Sequence, residues 1–291
     1  MAALMDLLVR RGRLLTLDEL RTARSRAALQ AAVRARCQAV TLDGSTVLCR
    51  VLGRYKMLAD SRDLGLAPHL LLDGYWEMWC TAFVLKRLRP GMVAWDIGAN
   101  LGYYAVVMAD LVGAEGRVLA VEPNPRLAAL CERNLSLNGF AGRAAVRQVA
   151  AADRGGATLR FRAAPSDPKN GHVVAGDAAP ADAAMEEFTV PAARLDDLGD
   201  GPVDFIKVDV EGAEEAAWAG MGGVLDRSPG VTVLMEFNAG RCRAPEAMLA
   251  AIAARFPLRE LGTDGAIRGV SPAAILPRRE DTMLVLTRGA A

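Results

Sequence analysis

The stretch VAWDIGANLGYYAVVMADLVG, residues 93–113, decides the fold. It opens on an apolar run containing Asp96, passes through a turn holding Gly98, Asn100 and Gly102, and becomes helical in character from Tyr103. Small residues in such a turn let backbone approach a ligand, and the first amides of the following helix face its polar groups. A turn alone generates this spacing. The strand before it and the helix after it make a ligand cradle the stronger reading.

Working outward, the same strand-then-helix order recurs. RVLAV (117–121) leads to PRLAALCERNLSLNG, AVRQV (145–149) lies farther on, VDFIKVD (203–209) precedes AEEAAWAGM, and VTVLMEF (231–237) precedes APEAMLAAIAARF. Predominantly apolar strands separated by amphipathic helices predict an α/β fold, a mostly parallel sheet with helices on both faces. FPLREL and DTMLVLT complete it as a late hairpin, giving seven core strands with the last antiparallel to its neighbours. Residues 163–186, rich in small, polar and Pro residues, predict a surface excursion after a short strand at TLRF, with a lid over the sheet's carboxyl edge as one reading; FTVPAARLDDL holds another short strand.

Upstream, residues 1–36 carry eight arginines against three acids and predict one or two surface helices, or a patch attractive to an anionic substrate or membrane surface. QAVTL and TVLCRVL flank Asp43 and Gly44, a pair suited to the left-handed positions of a hairpin turn. A helix is predicted over 76–89, with Trp76, Cys80, Phe83 and Val84 on one face, Glu77, Lys86 and Arg87 toward water, and Pro90-Gly91 as its stop. The expected division is an N-terminal helical and hairpin extension, 1–89, packed on a catalytic domain, 90–291.

Composition narrows the class. The 291 residues are 52% hydrophobic with a formal charge of +1, enough for a large core and without the basic bias of a nucleic-acid binder. No apolar run reaches the roughly twenty residues that cross a bilayer, and the first residues lack the layout of a secretory leader, so a cytoplasmic protein is expected. Five cysteines without paired metal-ligand spacing read as small core residues.

The acids specify the ligand. A dinucleotide turn would carry glycine at position 100 and would have little use for a negative charge at position 96. Asp96 instead suits the amino end of S-adenosylmethionine, directly or through water, or else orients the glycine loop. Glu122 follows the second strand, 26 residues after Asp96, where a carboxylate accepts hydrogen bonds from both ribose hydroxyls or sits at a helix N-terminus. An oxidoreductase on the same geometry is the weaker alternative.

WDIGANLGYYAVVMA, VEPNPRLAALCERNLSLNG, DFIKVDVEGAEEAAWAG and VTVLMEFN together resemble the FkbM family of class I methyltransferases over about residues 91–240, with the last strand extending the match to about 287. The resemblance implies a Rossmann-like class I methyltransferase fold and S-adenosyl-L-methionine as cofactor. It also implies transfer to an oxygen of a saccharide, lipid-linked intermediate or secondary metabolite. It carries cofactor contact onto Asp96, Gly98, Asn100, Gly102 and Glu122; fold position adds Asn124, Ala151 and Ala152. A ligand-binding or regulatory protein that kept the fold is the nonenzymatic alternative.

Asp209 and Glu236 end the fourth and fifth strands and are the candidate catalytic carboxylates, with Glu211 and Gly212 beside Asp209. Tyr75, Tyr103, Tyr104, Asn238 and Arg241 are candidate acceptor contacts, Arg241 toward an anionic group or else as a solvated or salt-bridged side chain; Trp76, Trp79, His69 and His172 are weaker ones, with packing or loop bonding the alternative. Asp209, Glu236 and Asn238 also offer oxygen ligands to a divalent ion, although their spacing departs from that of catechol O-methyltransferases, and no metal is assigned.

Overall fold

The computed structural model describes residues 13–174 and 184–289. The first third of the expected arginine-rich helical segment, residues 1–12, and part of the 163–186 excursion therefore lie outside the described residues. The described chain begins with α1 (Leu17–Arg21) and α2 (Arg26–Arg34), each capped by a hydroxyl, Thr16 and Ser25, that accepts from a first-turn amide. An antiparallel sheet follows, β1 (Ala39–Asp43), β2 (Thr46–Val51) and β3 (Tyr55–Asp60). The expected hairpin is present, but of the Asp43-Gly44 pair only Gly44 is left-handed, at φ +41°, while Asp43 still pairs in the strand. The third strand is an addition to the expected elements. It forms because Leu52 and Gly53 both take positive φ and turn the chain back on itself.

Helix α3 (Met78–Arg87) runs into the central sheet, which holds β4 (Val93–Ile97), β5 (Arg117–Val121), β6 (Ala144–Arg147), β11 (Phe205–Val208), β12 (Thr232–Phe237), β13 (Arg259–Leu261), β14 (Ile267–Gly269) and β15 (Thr282–Leu286). Their order is β14-β13-β15-β12-β11-β4-β5-β6. The pairs from β6 through β12 are parallel, and β15 inserts antiparallel between β12 and β13. All seven expected strands are present. The eighth, β14, extends the edge by pairing with β13.

Every residue of β11, β12 and β15 is buried, as covering both faces requires. Alternation along the strands divides the core. Ala94, Val118, Phe205 and Leu234 face α3, α4 (Tyr103–Leu111), α5 (Pro125–Leu137) and the N-terminal elements. Trp95, Leu119, Ile206 and Val233 face α6 (Glu214–Ala219), α7 (Gly222–Arg227), α8 (Pro245–Ala253) and α9 (Pro272–Ile275).

Between β6 and β11 a second sheet forms, ordered β7 (Ala150–Ala151), β10 (Glu186–Ala193), β8 (Thr158–Ala164) and β9 (Asp167–Val173). The sequence DPKNGHV does not read as a strand, because Pro168, Asn170 and Gly171 disfavour one. Tertiary packing overrides that preference: a side chain at Gly171 would lie 2.6 Å from the Phe161 ring on β8, so glycine is what lets the two strands close together.

Candidate active site

The chain builds β4, β5 and β6 in one direction and then returns to place β11 on the other side of β4. This reversal leaves a crevice at the carboxyl ends of β4 and β11, where open α/β sheets bind ligands. A cavity of about 350 Å³ occupies it. Residues at the ends of β4, β5, β11 and β12 line it from below, and Pro168, Lys169, Asn170 and Gly171 of the β8–β9 hairpin close one side.

Of the candidate residues, Gly98, Asn100, Glu122, Ala151, Tyr103, Tyr104, Asp209, Glu236 and Arg241 line this cavity. Gly98 has φ +84°, and a Cβ there would stand 1.7 Å from the carbonyl oxygen of Asp209, so the β4 turn and the end of β11 touch through bare backbone. Asn100 is left-handed at φ +52°, its own side-chain carbonyl accepting from Leu101 N at 2.6 Å. Glu122 accepts from the amides of Asn100 (2.8 Å) and Asn124 (2.9 Å), which ties the glycine turn to the end of β5. Burial pushes its carboxyl up to about 7 despite those two amides.

Six candidates do not line the cavity. Asp96 lies beneath its floor, 1% exposed, its oxygens without well-formed hydrogen bonds, with the Ala105 amide and the Lys207 ammonium as near polar neighbours. Burial raises it to about 6, and Asp209 adds to the effect. Gly102 serves packing: a Cβ would stand 2.7 Å from Cys131 Sγ, so α4 rests directly on α5. Asn124 caps α5, its side-chain oxygen accepting from Arg126 and Leu127. Ala152 follows β7 and its amide donates to Ala193 O at the end of β10, 2.9 Å away. Tyr75 sits under the Arg34 guanidinium, 5.3 Å from ring centroid to carbon, away from the crevice. Asn238 donates to Asp281 (2.8 Å) and to Arg279 O, fastening the loop after β12.

Of the weaker candidates, Trp76 lines the cavity, whereas Trp79 faces a separate groove beside α2. His69 packs edge-on against Trp76 at 4.9 Å, and His172 lies exposed on β9.

Arg241 takes the salt-bridged alternative to an acceptor contact. Its guanidinium pairs with Glu211, Glu236 and Asp281 together, so its charge is already spent and is not offered to an anionic acceptor. Burial raises Glu211 to about 7, and burial with Asp209 nearby pushes Glu236 up as well, in spite of Arg241. Asp209, Glu211 and Glu236 converge closely enough for one ion, with Glu211 in the place expected of Asn238, yet Arg241 already bridges two of the three.

Two residues escape the sequence reading. Lys207 is 2% exposed, sits beside Asp96 in the β11–β4 register, donates to Asp209 at 2.7 Å and lies 4.7 Å over the Tyr104 ring. Burial works against its charge, but Asp209, Asp96 and Glu77 hold its pKa above the ordinary value. A signal for it exists: a lone lysine inside FIKV, a strand apolar on both faces. Glu77, expected to face water, instead precedes α3 in a left-handed conformation, lines the cavity, and takes a 3.4 Å contact from Tyr104 OH. No periodicity points to it, because it stands before the helix begins.

The residues present fit an extended, positively charged nucleoside: a carboxylate at the end of β5 for the ribose, a glycine turn for close approach, and an acidic far end. The fold and this crevice define a class I S-adenosylmethionine-dependent methyltransferase. The family model described as the methyltransferase FkbM domain matches residues 96–256. The chain belongs to the FkbM methyltransferase family.

Shorter likenesses accompany that match. A protein-L-isoaspartate O-methyltransferase of Methanothrix thermoacetophila is 42% identical over 69 residues, 24% of this chain and 29% of that protein. The corresponding enzyme 1 of Archaeoglobus fulgidus is 45% identical over 74 residues, 25% and 31% of the two chains. The matched segment thus spans under a third of either relative. Among solved structures, an FkbM methyltransferase of Methylobacillus flagellatus KT aligns with a TM-score of 0.43 and 19% identity, covering 75% of this chain and 52% of that one. No helix of the described residues is long and apolar enough to cross a membrane.

Proposed function

We propose that the protein transfers the methyl group of S-adenosylmethionine to a hydroxyl oxygen of a saccharide, a lipid-linked intermediate or a secondary metabolite. The observation that carries this reading is the charge of the cavity wall. The six carboxyls of Glu77, Glu122, Asp209, Glu211, Glu236 and Asp281 stand against Lys169, Lys207 and Arg241, and although burial keeps part of them protonated in the ligand-free protein, an entering cation favours their ionised form. Near a protein surface, two unit charges 4 Å apart interact by about 4 kcal/mol. Such a wall favours the sulfonium donor and works against a polyanionic acceptor such as a nucleic acid.

Hydroxyl groups suit what remains. Asp209 keeps acceptor capacity beyond its bond from Lys207, and a carboxylate there would hold an acceptor hydroxyl by its proton and receive that proton as the oxygen–methyl bond forms and the sulfur–methyl bond breaks to leave S-adenosylhomocysteine. Orientation does the larger part, because the electrophile is already activated by its charge. The isoaspartate relatives are themselves named O-methyltransferases, which agrees with oxygen as the nucleophile.

The test is incubation with labelled S-adenosylmethionine and pools of glycans and small metabolites, followed by mass mapping of the methylated position. Methylation confined to nitrogen or carbon rejects the oxygen assignment. Donor binding without turnover across the pools favours a ligand-binding protein instead. With the acceptor in hand, Asp209→Asn is expected to lower kcat by about 10²-fold or more, the range of a lost general base.

A further inference from the structure

We propose that Glu77 and Lys207 form the subsite for the amino-acid head of the methyl donor, with Glu77 receiving the α-ammonium and Lys207 facing the α-carboxylate. The inference rests on the donor reading above, and its acid, Glu77, lies outside the matched family segment, which begins at residue 96.

The geometry is a pair of opposite charges set about one aromatic ring inside the cavity. Tyr104 OH contacts Glu77 Oε2 at 3.4 Å, and the Lys207 ammonium lies 4.7 Å from the centroid of the same ring. Both charged residues line the cavity. A free amino acid head is itself a zwitterion, so adjacent opposite charges satisfy both of its ends where a lone acid would satisfy one. Lys207 donates once to Asp209 and retains two further N–H donors for a carboxylate. Asp96, the sequence's own candidate for the ammonium, lies under the cavity floor, and its burial leaves Glu77 as the carboxylate that reaches the ligand from this side.

The backbone supports the assignment independently. Glu77 has φ +36° and ψ 66°, a left-handed conformation in which a long side chain is disfavoured and glycine or asparagine is at ease. Nothing in helix capping requires it, since its side chain makes no cap bond. A strained residue that aims a carboxylate into a ligand cavity is a sign of selection for that carboxylate. Placement by the N-terminal extension also explains why the acid is invisible to a motif scan of the strand-and-turn segments.

The experiment is calorimetric titration of wild type, Glu77→Gln and Glu77→Gly with two ligands, S-adenosylhomocysteine and 5′-methylthioadenosine. The second shares the nucleoside and thioether but lacks the amino-acid head. Both variants are expected to bind S-adenosylhomocysteine about tenfold more weakly and methylthioadenosine as wild type does. Glu77→Gly, which relieves the left-handed strain, is expected to melt no lower than wild type, so that lost affinity cannot be assigned to lost folding. Unchanged S-adenosylhomocysteine affinity, or an equal loss for both ligands, overturns the subsite. Wild-type protein that binds neither ligand overturns the donor reading itself.

Discussion

Gly98→Ala tests the contact on which the crevice is built. Its added carbon would fall 1.7 Å from Asp209 O and 2.8 Å from Asp209 C, both backbone atoms that cannot swing away as a side-chain tip would. Two costs add. A left-handed φ costs an L-residue roughly 1–2 kcal/mol, and forcing a methyl into filled space costs about 1–3 kcal/mol more. Gly139 separates them: at φ +77° it has open space for 4 Å around the place a Cβ would take, so Gly139→Ala incurs the first cost alone. Melting temperatures of the two variants, at roughly 2–4 °C per kcal/mol for a chain of this size, should therefore both fall, with Gly98→Ala several degrees lower. Gly98→Ala should also weaken S-adenosylhomocysteine binding, because relief of the clash pushes the β4 turn and Asp209 apart. Equal melting of the two variants, with donor affinity intact in Gly98→Ala, would refute the reasoning.

The buried acids set an unusual pH dependence. Glu122 rises from 4.5 to about 7 and Asp96 from 3.8 to about 6, so the folded chain holds these protons more tightly than the unfolded one. Their contribution is present below the unfolded values and lost as pH rises through 6 to 7; the ligand-free protein should be more stable at pH 5.5 than at pH 8 by on the order of 2 kcal/mol. Urea midpoints at the two pH values check the sign, and a higher midpoint at pH 8 contradicts it. Chelation should leave wild-type activity unchanged, because Arg241 already neutralises Glu211 and Glu236. Arg241→Met should melt lower, toward the lower end of the ~3–5 kcal/mol lost when a buried pair is broken, and should regain stability with Mg²⁺ through Asp209, Glu211 and Glu236. Activity of the wild type that needs restored Mg²⁺ after chelation would show the guanidinium reading to be mistaken.

What is legible in the sequence follows from how locally each feature is encoded. The strands of the central sheet are buried on both faces, so VAWDI, RVLAV and VTVLMEF read as apolar runs whatever surrounds them. Gly98 and Asn100 announce a left-handed turn because few other residues adopt one. The parts that stay hidden depend on partners distant in the chain. Strand β9 contains Pro168 and Gly171 and exists because Phe161 fills the space beside it. The partners of Arg241 cannot be read from the sequence because the three acids that surround it come from residues 211, 236 and 281. Asn238 and Arg241 lie three residues apart and both reach Asp281, but only the path of the loop after β12 decides that Arg241 also meets Glu211 and Glu236.

The boundary expected at residues 89 and 90 marks a change in chain pattern, and the packing argues that the two sides do not fold apart. All but one residue of α4 is buried, and a helix apolar all round needs cover beyond one face. The sheet and α5 supply part of that cover; α3 and the β1–β3 sheet supply the rest, in the same core as Ala94 and Val118. Polar bonds fasten the join. Asn134 on α5 accepts from Leu58 N at 2.7 Å and donates to Leu58 O and Leu101 O, standing in for a neighbouring strand along β3. Arg54 and Tyr55 both reach Asp110 at the end of α4. The extension also sends Trp76 and Glu77 into the cavity. A chain cut to residues 90–291 should therefore lose cooperative unfolding along with donor binding, since it exposes α4 and leaves Asn134 and Asp110 without these partners. Calorimetric melting with and without S-adenosylhomocysteine checks this: a sharp transition that the ligand raises as far as in the full chain would show the extension to be dispensable, and the cavity to be complete without it.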